Sequence, residues 1–258
     1  MDGAGAPFET GGAGGPAADR PTVSVTLFRF ATRWRRHWAW WQMLNSRWKL
    51  RRLPGATFMR QCGTGSREGF YPWPNFGVYG VLAAWPSLAH AREQVEGSRV
   101  YRRYREHAAE HVTLYLHATR ARGAWGGSLP FEVCAPAEAE GPVAVLTRAS
   151  IRPRALRAFW GRTPGIRAEI PLDPRAGGLA FRMGLGELPW LNQITFTLWT
   201  DREALQRFAW APESAHGQAI AAARAGDWFS EYLFARFTVA GVHGDWSDAD
   251  LSRLRQTA

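Results

Sequence analysis

The chain has 258 residues, of which 46% are hydrophobic and 13% aromatic, enough apolar material for the core of one large or two small domains. Lys and Arg number 32 against 22 for Asp and Glu, and the net charge of +10 predicts an acidic partner. No DNA- or RNA-binding motif is present, which leaves an anionic bilayer or an acidic protein as the favoured partners. The two cysteines, Cys62 and Cys134, are far apart and exclude a disulfide scaffold or a zinc cluster.

Residues 1–21 are rich in Gly, Ala and Pro and predict a disordered tail without a secretory signal. Residues 22–127 predict a first α+β unit, and residues 128–142, rich in Pro, Ala and Glu, predict a linker. Within the first unit we expect strands Val23–Phe30, Ala56–Gln61, Phe76–Trp85 and His111–Ala118. We expect a helix over Arg33–Arg52 and another that Ser87 caps, which runs to about Ala109 with a break at Gly97. Prolines interrupt the uncharged stretch 69–91, so it is not expected to cross a membrane.

Residues 143–248 predict a second α+β unit, followed by a C-terminal tail over 249–258. Its expected strands are Val143–Ile151, Gly165–Pro171, Gly178–Gly184, Asn192–Trp199 and Glu231–Val239. Its expected helices are Pro153–Arg162 and Asp201–Ala225, the second of them broken near Pro212.

The two units share short sequence motifs as well as the order of their elements. A Gly-x-Gly, a Pro-Trp-x-Asn, a strand and a Trp occur at 63–85 and again at 184–199, and both units end on Gly-x-Trp. Two copies of a ferredoxin-like, split βαβ unit are the simplest account. Because the bare faces of two such sheets must be buried, we expect them to pack as a dimeric-α+β-barrel-like sheet sandwich around an apolar cavity.

The helix predicted over Arg33–Arg52 carries seven cations and no acid, with Trp34, Trp38, Trp41 and Trp48 at helical spacing. A basic, Trp-rich amphipathic helix is typical of a segment that lies in a lipid headgroup layer. The same stripe is equally typical of a face that packs on a sheet. The two unpaired cysteines suit a reducing compartment, so the chain is expected to be cytoplasmic. A peripheral contact of this helix with the inner face of the membrane is one alternative.

Motifs for nucleotides, metals and hydrolysis are weak. The segment GTGSREG lacks the GKS/T of a phosphate loop and precedes a strand, so its glycines are expected to serve tight turns or close backbone approach. His107 and His111 are four residues apart, but a helix ends between them. His216 would share a helix face with Ala219, Ile220 and Ala223, where small neighbours leave room for a flat macrocycle above one imidazole. A lone histidine on such a helix is also typical of packing or capping.

Several long stretches resemble the spheroidene monooxygenase family of acyclic-carotenoid ketolases. The stretches are Gly63-Thr-Gly65, Glu68-Gly-Phe70, Pro72, Pro74-Asn75, Val78-Tyr79, Leu82-Ala83 and Trp85, then Gly184-Leu-Gly-Glu187, Pro189, Thr195-Phe196 and Leu198-Trp199, then His216, Ala219-Ile220, Arg224, Trp228-Phe229, Glu231 and Leu233-Phe-Ala-Arg-Phe237. The residues at Ser66-Arg67 and Tyr71-Pro-Trp73 differ from those expected in the family's motif, and this difference puts the identity of the substrate in doubt.

The resemblance implies a monooxygenase that oxidises a methylene near the end of an acyclic carotenoid to a hydroxyl and then to a ketone. It implies haem iron with His216 as axial ligand beside Ala219, Ile220 and Ala223, and a ferredoxin-like electron donor. Asn75, Asn192 and Gln193 are then the polar candidates for the oxygen side. The candidates for the polyene channel are Phe70, Trp73, Trp190 and Trp228. The alternatives are a cofactor-free barrel monooxygenase acting on another polyene or terpenoid, and a non-catalytic carrier of apolar ligands.

Overall fold

The computed structural model describes residues 19–169, 178–209, 218, 221–223, 225–247, 249 and 251, and the structural statements below concern these residues. Eight antiparallel strands close into a barrel in the order β1-β3-β2-β6-β7-β5-β8-β4. The strands are β1 Thr22–Arg29, β2 Phe58–Gly65, β3 Pro74–Trp85, β4 Glu110–Gly123, β5 Val143–Ile151, β6 Leu179–Gly186, β7 Asn192–Trp199 and β8 Phe229–Asp245. The expectation of an α+β barrel is thereby confirmed.

Seven α-helices can be delimited within the described ranges, and they lie in the connections between strands. They are α1 Arg33–Asn45, α2 Arg47–Arg51, α3 Ser66–Gly69, α4 Leu88–Arg92, α5 Arg99–His107, α6 Leu156–Glu169 and α7 Arg202–Ala209. A π-helical turn, Glu93–Gly97, joins α4 to α5, and a 3₁₀ turn, Pro153–Ala155, precedes α6. Thr32 and Ser87 cap the starts of α1 and α4, each with a side-chain oxygen that accepts a backbone N–H.

The barrel has two unequal seams between its halves. The strand order is β4-β1-β3-β2 in the first half and β8-β5-β7-β6 in the second. Along one seam β4 pairs with β8 from His111 opposite Asp245 to Gly123 opposite Leu233. Along the other seam β2 meets β6 only at the strand tips, where Gly63 lies opposite Gly186 and Thr64 opposite Leu185. Because β2 and β6 pair over so few residues, a cleft remains beside this short seam.

Apolar side chains fill the barrel interior. Alternate residues on each strand point inward, as the period of two predicts, and Leu27, Leu114, Leu146, Phe196 and Phe237 are fully buried there. Phe131, from the segment between the halves, also lies in this core. The apolar cavity expected between the two sheets is therefore occupied by packed side chains, and a cleft lies elsewhere, at the short seam.

Two predicted elements are corrected by the structure. The strand expected at Gly165–Pro171 is wrong, because α6 continues to Glu169 and residues 170–177 lie outside the described part. The predicted helix Pro153–Arg162 stopped before Pro164, but the backbone stays helical through this proline. The helix expected over Arg33–Arg52 is two helices, since the chain turns at Ser46, whose hydroxyl donates to Gln42 Oε1 at 2.7 Å.

The outer layer of the first half buries one face of α1 and α2, including Ala39, Gln42 and Leu50. Trp38 is half-buried and stacks on His107, with ring centroids 3.9 Å apart. Trp34, Trp41 and Trp48 are exposed instead, so sheet packing accounts for only one tryptophan of the predicted stripe. In the part of the chain described, no helix combines the length and apolar character needed to span a bilayer.

Candidate functional site

A cleft of about 310 Å³ lies at the short seam. Its first-half wall includes Gly63, Thr64, Asn75 and Tyr79, and its second-half wall includes Leu185, Gly186, Glu187, Trp190, Asn192 and Gln193. Helix α1 adds Trp40 and Met43 at one side, and helix α6 adds Trp160 at the other. The two glycine-containing stretches that read alike in the sequence thus face each other across one cleft.

Close backbone approach explains the glycines. Gly69 has φ +88°, and a Cβ atom on it would collide with the backbone of Gly184, while a Cβ on Gly184 would collide with Gly69. By contrast, a Cβ on Gly63 would meet no atom within 4 Å, because it would point into open space. The glycines therefore close the seam at one point and leave the cleft open at another.

The three predicted polar residues come together here, and each is held in place by a hydrogen bond. Gln193 Nε2 donates to Gly69 O at 3.2 Å, across the seam. Asn75 Oδ1 accepts from the N–H of Gly77 at 2.9 Å, and Asn192 Nδ2 donates to Ser150 Oγ at 3.1 Å. These hydrogen bonds hold the three side chains at the cleft wall. The catalytic role of the three residues stays a prediction.

The four aromatic residues predicted for the polyene channel lie in different parts of the structure. Trp190 lines the cleft in a left-handed conformation (φ 64°), and its carbonyl accepts a bond of 3.1 Å from Trp160 Nε1. Phe70 is buried in a cluster with Leu179 and Trp199 on the outer side of the second half. Trp73 is 69% exposed and Trp228 is half-buried, with the Arg162 guanidinium 5.0 Å above its ring. Only Trp190 of the four is among the residues lining the cleft.

A network of charged side chains around the buried Arg148 lies beside the cleft and was not predicted. Glu187, which lines the cleft, accepts a bond of 2.8 Å from Trp125 Nε1 and lies 2.9 Å from Arg60 Nε. Arg148 has only 6% of its side chain exposed and contacts Glu187 at 3.4 Å and Glu231 at 2.6 Å. Strand alternation points Arg60 and Arg148 into the barrel, but charged residues are rarely buried, so sequence reasoning had little ground to place them here.

The network ties the two halves together and sets the charge of its carboxylates. Glu231 accepts the N–H groups of Gly126 at 3.0 Å and Gly127 at 2.8 Å. Partial burial alone would raise the pKa of Glu231, but these donors and Arg148 hold it below its usual range. Burial raises the pKa of the neighbouring Cys62 thiol well above its usual value, so this thiol is protonated and unreactive.

The floor of the cleft holds a second group that sequence reasoning missed. Tyr79 lines the cleft, is 4% exposed, and lies opposite Gly63 in the β2–β3 register. Burial raises its pKa to about 12, so its hydroxyl keeps its proton at physiological pH. Its position on a strand was predicted, whereas its burial depends on packing in the outer apolar cluster with Phe30 and Ala39.

The residues predicted to bind the cofactor fall mostly outside the described part of the chain. His216, Ala219 and Ile220 lie outside the described residues. Ala223 is described and is buried, whereas Gln218 is exposed. Within the described ranges, no three His, Cys, Asp or Glu side chains lie close enough together to hold a metal ion.

Comparison with known proteins identifies relatives. No family model matches the chain. The spheroidene monooxygenase of Rhodobacter capsulatus is 41% identical over 233 residues, covering 89% of this chain and 95% of that protein. The spheroidene monooxygenase of Cereibacter sphaeroides is 38% identical over 229 residues, covering 89% of this chain and 70% of that protein.

Among solved structures, an aldoxime dehydratase in complex with butyraldoxime superimposes with a TM-score of 0.59 at 10% identity, covering 87% of this chain and 81% of that one. At this identity the likeness concerns the fold alone. The two relatives, by contrast, are similar in sequence over nearly the whole barrel. The chain belongs to the spheroidene monooxygenase family and is a monooxygenase.

Proposed function

We propose that this monooxygenase oxidises a methylene near the end of an acyclic carotenoid, first to an alcohol and then to a ketone. The observation that carries the proposal is the cleft at the short seam, which both halves build from the stretches shared with the family. The names of the relatives specify spheroidene, a carotenoid, as the substrate of those proteins.

The dimensions and lining of the cleft suit one end of a long polyene. Its volume of about 310 Å³ is at the low end of small-molecule pockets, which span roughly 300–1,000 Å³. Trp40, Tyr71, Trp160 and Trp190 offer aromatic surface to a conjugated chain. The end of the substrate therefore lies in the cleft and the remainder extends past its rim.

Each oxidation consumes one O₂ and two electrons. One oxygen atom enters a C–H bond of the methylene, and the other leaves as water with two protons. A second turnover on the same carbon gives a geminal diol, which loses water to form the ketone. The electrons come from a ferredoxin-like donor, and the net charge of +10 supports the recognition of an acidic donor protein.

Haem iron is the proposed cofactor, and His216 would hold it. In a helix His216, Ala219 and Ile220 would share a face with Ala223, and the burial of Ala223 beside the exposed Gln218 supports an inward face of small side chains. Bound haem supplies the activation of O₂. The chain's own residues orient the substrate and exclude water around it.

The exposed face of α1 and α2 is proposed to contact the membrane that contains the substrate. Trp34, Trp41 and Trp48 are 77%, 53% and 64% exposed, on helices that carry seven cations and no acid over residues 33–52. Trp40 of the same helix lines the cleft. A lipid contact there brings the cleft next to the bilayer, from which an apolar substrate can enter without crossing water.

The barrel is proposed to be a duplication of one ferredoxin-like unit. The equal strand orders of the two halves support this, as does the meeting of the two Gly-x-Gly segments at the short seam. Divergence of the copies then gives the second half the histidine that the first half lacks at the corresponding stretch.

The test is expression in a bacterium that accumulates acyclic carotenoids, with mass spectrometry of the pigments under isotopically labelled O₂. We expect a ketone with labelled oxygen and a smaller amount of the alcohol. Unchanged pigments that copurify with the protein would contradict the proposal and favour a carrier. Oxidation of other polyenes or terpenoids but not of acyclic carotenoids would contradict the proposed substrate.

A second measurement tests the cofactor. The purified protein, supplied with haem during expression, should show a Soret band that the His216→Ala variant loses, while the neighbouring Gln218→Ala variant keeps it. Full haem occupancy in His216→Ala would contradict the axial ligand. Activity in protein free of haem and iron would favour the cofactor-free alternative.

A further inference from the structure

Large apolar side chains surround the opening of the cleft at the short seam. Trp40, Phe76, Leu188 and Trp190 all line the cleft, yet they are 43%, 52%, 56% and 49% exposed. They belong to α1, to β3 and to the turn between β6 and β7, so both halves of the barrel contribute. Each of the four borders the cleft and is left largely uncovered by the rest of the protein. We call these four residues the mouth.

The mouth is continuous with the exposed face of α1 and α2. The His37 ring lies between Trp34 and Trp40, with its centroid 6.4 Å from that of Trp34 and 5.9 Å from that of Trp40. Aromatic surface therefore runs along α1 from its first turn to the cleft.

Exposed apolar side chains are concentrated on this side of the molecule. Twelve large ones are exposed in the described ranges, and nine of these lie on α1, on α2 or within residues 73–76 and 188–190. The nine are Trp34, Trp40, Trp41, Leu44, Trp48, Trp73, Phe76, Leu188 and Trp190. Single exposed apolar residues are ordinary, but a concentrated patch marks a surface that binds a partner.

Charge divides this surface into two parts. Residues 33–52 carry seven cations and no acid, whereas residues 70–85 and 188–200 contain no Asp, Glu, Lys or Arg. An acidic protein would find cations on the helices but no charge to pair with at the mouth. An anionic bilayer offers phosphate groups to the cations and hydrocarbon to the mouth. The pattern therefore favours lipid as the partner.

We propose that the mouth inserts below the lipid headgroups while the cations of α1 and α2 stay among them, so that the cleft opens into the hydrocarbon layer. The inference rests on the proposed function and deepens it. It extends the membrane contact from the helices to the β6–β7 turn of the second half, which contains Leu188 and Trp190. Insertion is favourable because it removes apolar surface from water. The substrate then passes from the bilayer to the cleft without crossing water.

The first experiment measures the depth of single positions with a polarity-sensitive fluorophore attached to an introduced cysteine. Leu188→Cys and Phe76→Cys test the mouth. Val133→Cys is the matched control, because Val133 is 45% exposed and lies beside Ala118 of β4, on the long seam.

The Cys134→Ser change in every variant restricts labelling to the introduced cysteine, since Cys62 is fully buried. With vesicles that contain anionic lipid, we expect the emission of labels at positions 76 and 188 to shift to shorter wavelength. Nitroxide groups on the acyl chains should quench these labels more strongly than nitroxide groups on the headgroups. The label at position 133 should keep its aqueous emission.

A charged substitution gives an independent readout that needs no label. Leu188→Asp should weaken binding to the same vesicles by about 10-fold or more, because a carboxylate replaces an apolar side chain that enters hydrocarbon. Val133→Asp should leave vesicle affinity unchanged. Both positions are exposed, so both variants should unfold at the temperature of the wild type.

Labels at positions 76 and 188 that only a water-soluble quencher reaches in vesicle-bound protein would overturn the inference. A shift to shorter wavelength without vesicles, together with a doubling of mass in analytical ultracentrifugation, would also overturn it, since the mouth would then bind a second copy of the chain. Insertion of the mouth without oxidation of any carotenoid would contradict the proposed function and support the inference. Oxidation of carotenoid by protein whose mouth stays in water would contradict the inference alone.

Discussion

Gly69 and Gly184 contact each other backbone to backbone where the two halves of the barrel meet at the short seam. Gly184 has an ordinary φ, so the need for glycine there comes from the neighbouring chain and not from its own conformation. The bond from Gln193 Nε2 to Gly69 O reinforces the contact at 3.2 Å. One side of the cleft thus depends on the absence of two Cβ atoms.

Gly184→Ala is therefore expected to destabilise the protein by about 1–3 kcal/mol, the usual cost of overpacking. The backbone of Gly69 must move away to admit the methyl group, which also disturbs the wall near Gln193. Urea unfolding measures the change. Gly161→Ala is the matched control, since a Cβ there meets no atom within 4 Å and alanine favours the helix. Equal stability of the two variants would contradict the close approach.

A series at Gly63 separates the cleft from the fold. A Cβ on Gly63 meets nothing within 4 Å and points into open space beside the cleft wall. Gly63→Ala, Gly63→Val and Gly63→Phe should keep the thermal unfolding temperature within a few degrees and lower polyene oxidation progressively as the side chain grows. Full activity in Gly63→Phe would show that the substrate does not occupy this cleft.

The sequence predicted the strands well because alternation and bounding Gly or Pro are local signals. Val143–Ile151 and Asn192–Trp199 match the observed β5 and β7 at both ends. Asn75, Asn192 and Gln193 line one cleft, as expected from the similar motifs of the two segments that contain them. The error at Gly165–Pro171 concerns a helix end, since α6 continues past Pro164, a residue type that interrupts most helices.

The remaining site residues depend on long-range packing. Phe70 and Trp190 both read as aromatic residues beside a glycine-rich turn, yet one is buried outside the second sheet and the other lines the cleft. Likewise, nothing local distinguishes the cleft-lining Tyr79 from a core tyrosine. Arg148 and Glu231 come together only because β5 pairs with β8.

Removal of Arg148 should be costly. Arg148→Met leaves Glu187 and Glu231 close together without their shared cation, and loss of one partner from a buried ion pair destabilises by about 3–5 kcal/mol. Arg154→Met is the matched control, because Arg154 pairs with Asp227 at the surface, where such pairs contribute at most about 1 kcal/mol. Similar unfolding free energies for the two variants would show that the network does not join the halves.

We expect low pH to destabilise the folded protein, because the Glu231 carboxylate becomes protonated. Its pKa is below the ordinary value in the folded protein, so its contribution is fully present above the ordinary glutamate pKa and is lost as pH falls through the folded value. The difference in unfolding free energy between wild type and Glu231→Gln should therefore shrink below about pH 4.3. Glu203→Gln, which alters an exposed glutamate of α7, should parallel the wild type. A difference independent of pH would contradict the stabilised carboxylate.

The tryptophans of α1 and α2 should bind anionic liposomes. Wild-type protein is expected to sediment with vesicles containing anionic lipid and to be released by salt, since each nearby cation contributes about 1 kcal/mol that salt screens. Replacing Trp34, Trp41 and Trp48 with serine removes exposed apolar surface and should weaken sedimentation without lowering stability, because none of the three is buried. A Leu129→Ser, Tyr232→Ser variant, altered at exposed apolar positions outside these helices, is the control. Equal sedimentation of both variants would contradict a lipid contact at this surface. Selective loss of sedimentation in the tryptophan variant would support it. If that variant also oxidises membrane-embedded carotenoid more slowly, but detergent-dispersed carotenoid at the normal rate, substrate enters along the helix that lines the cleft.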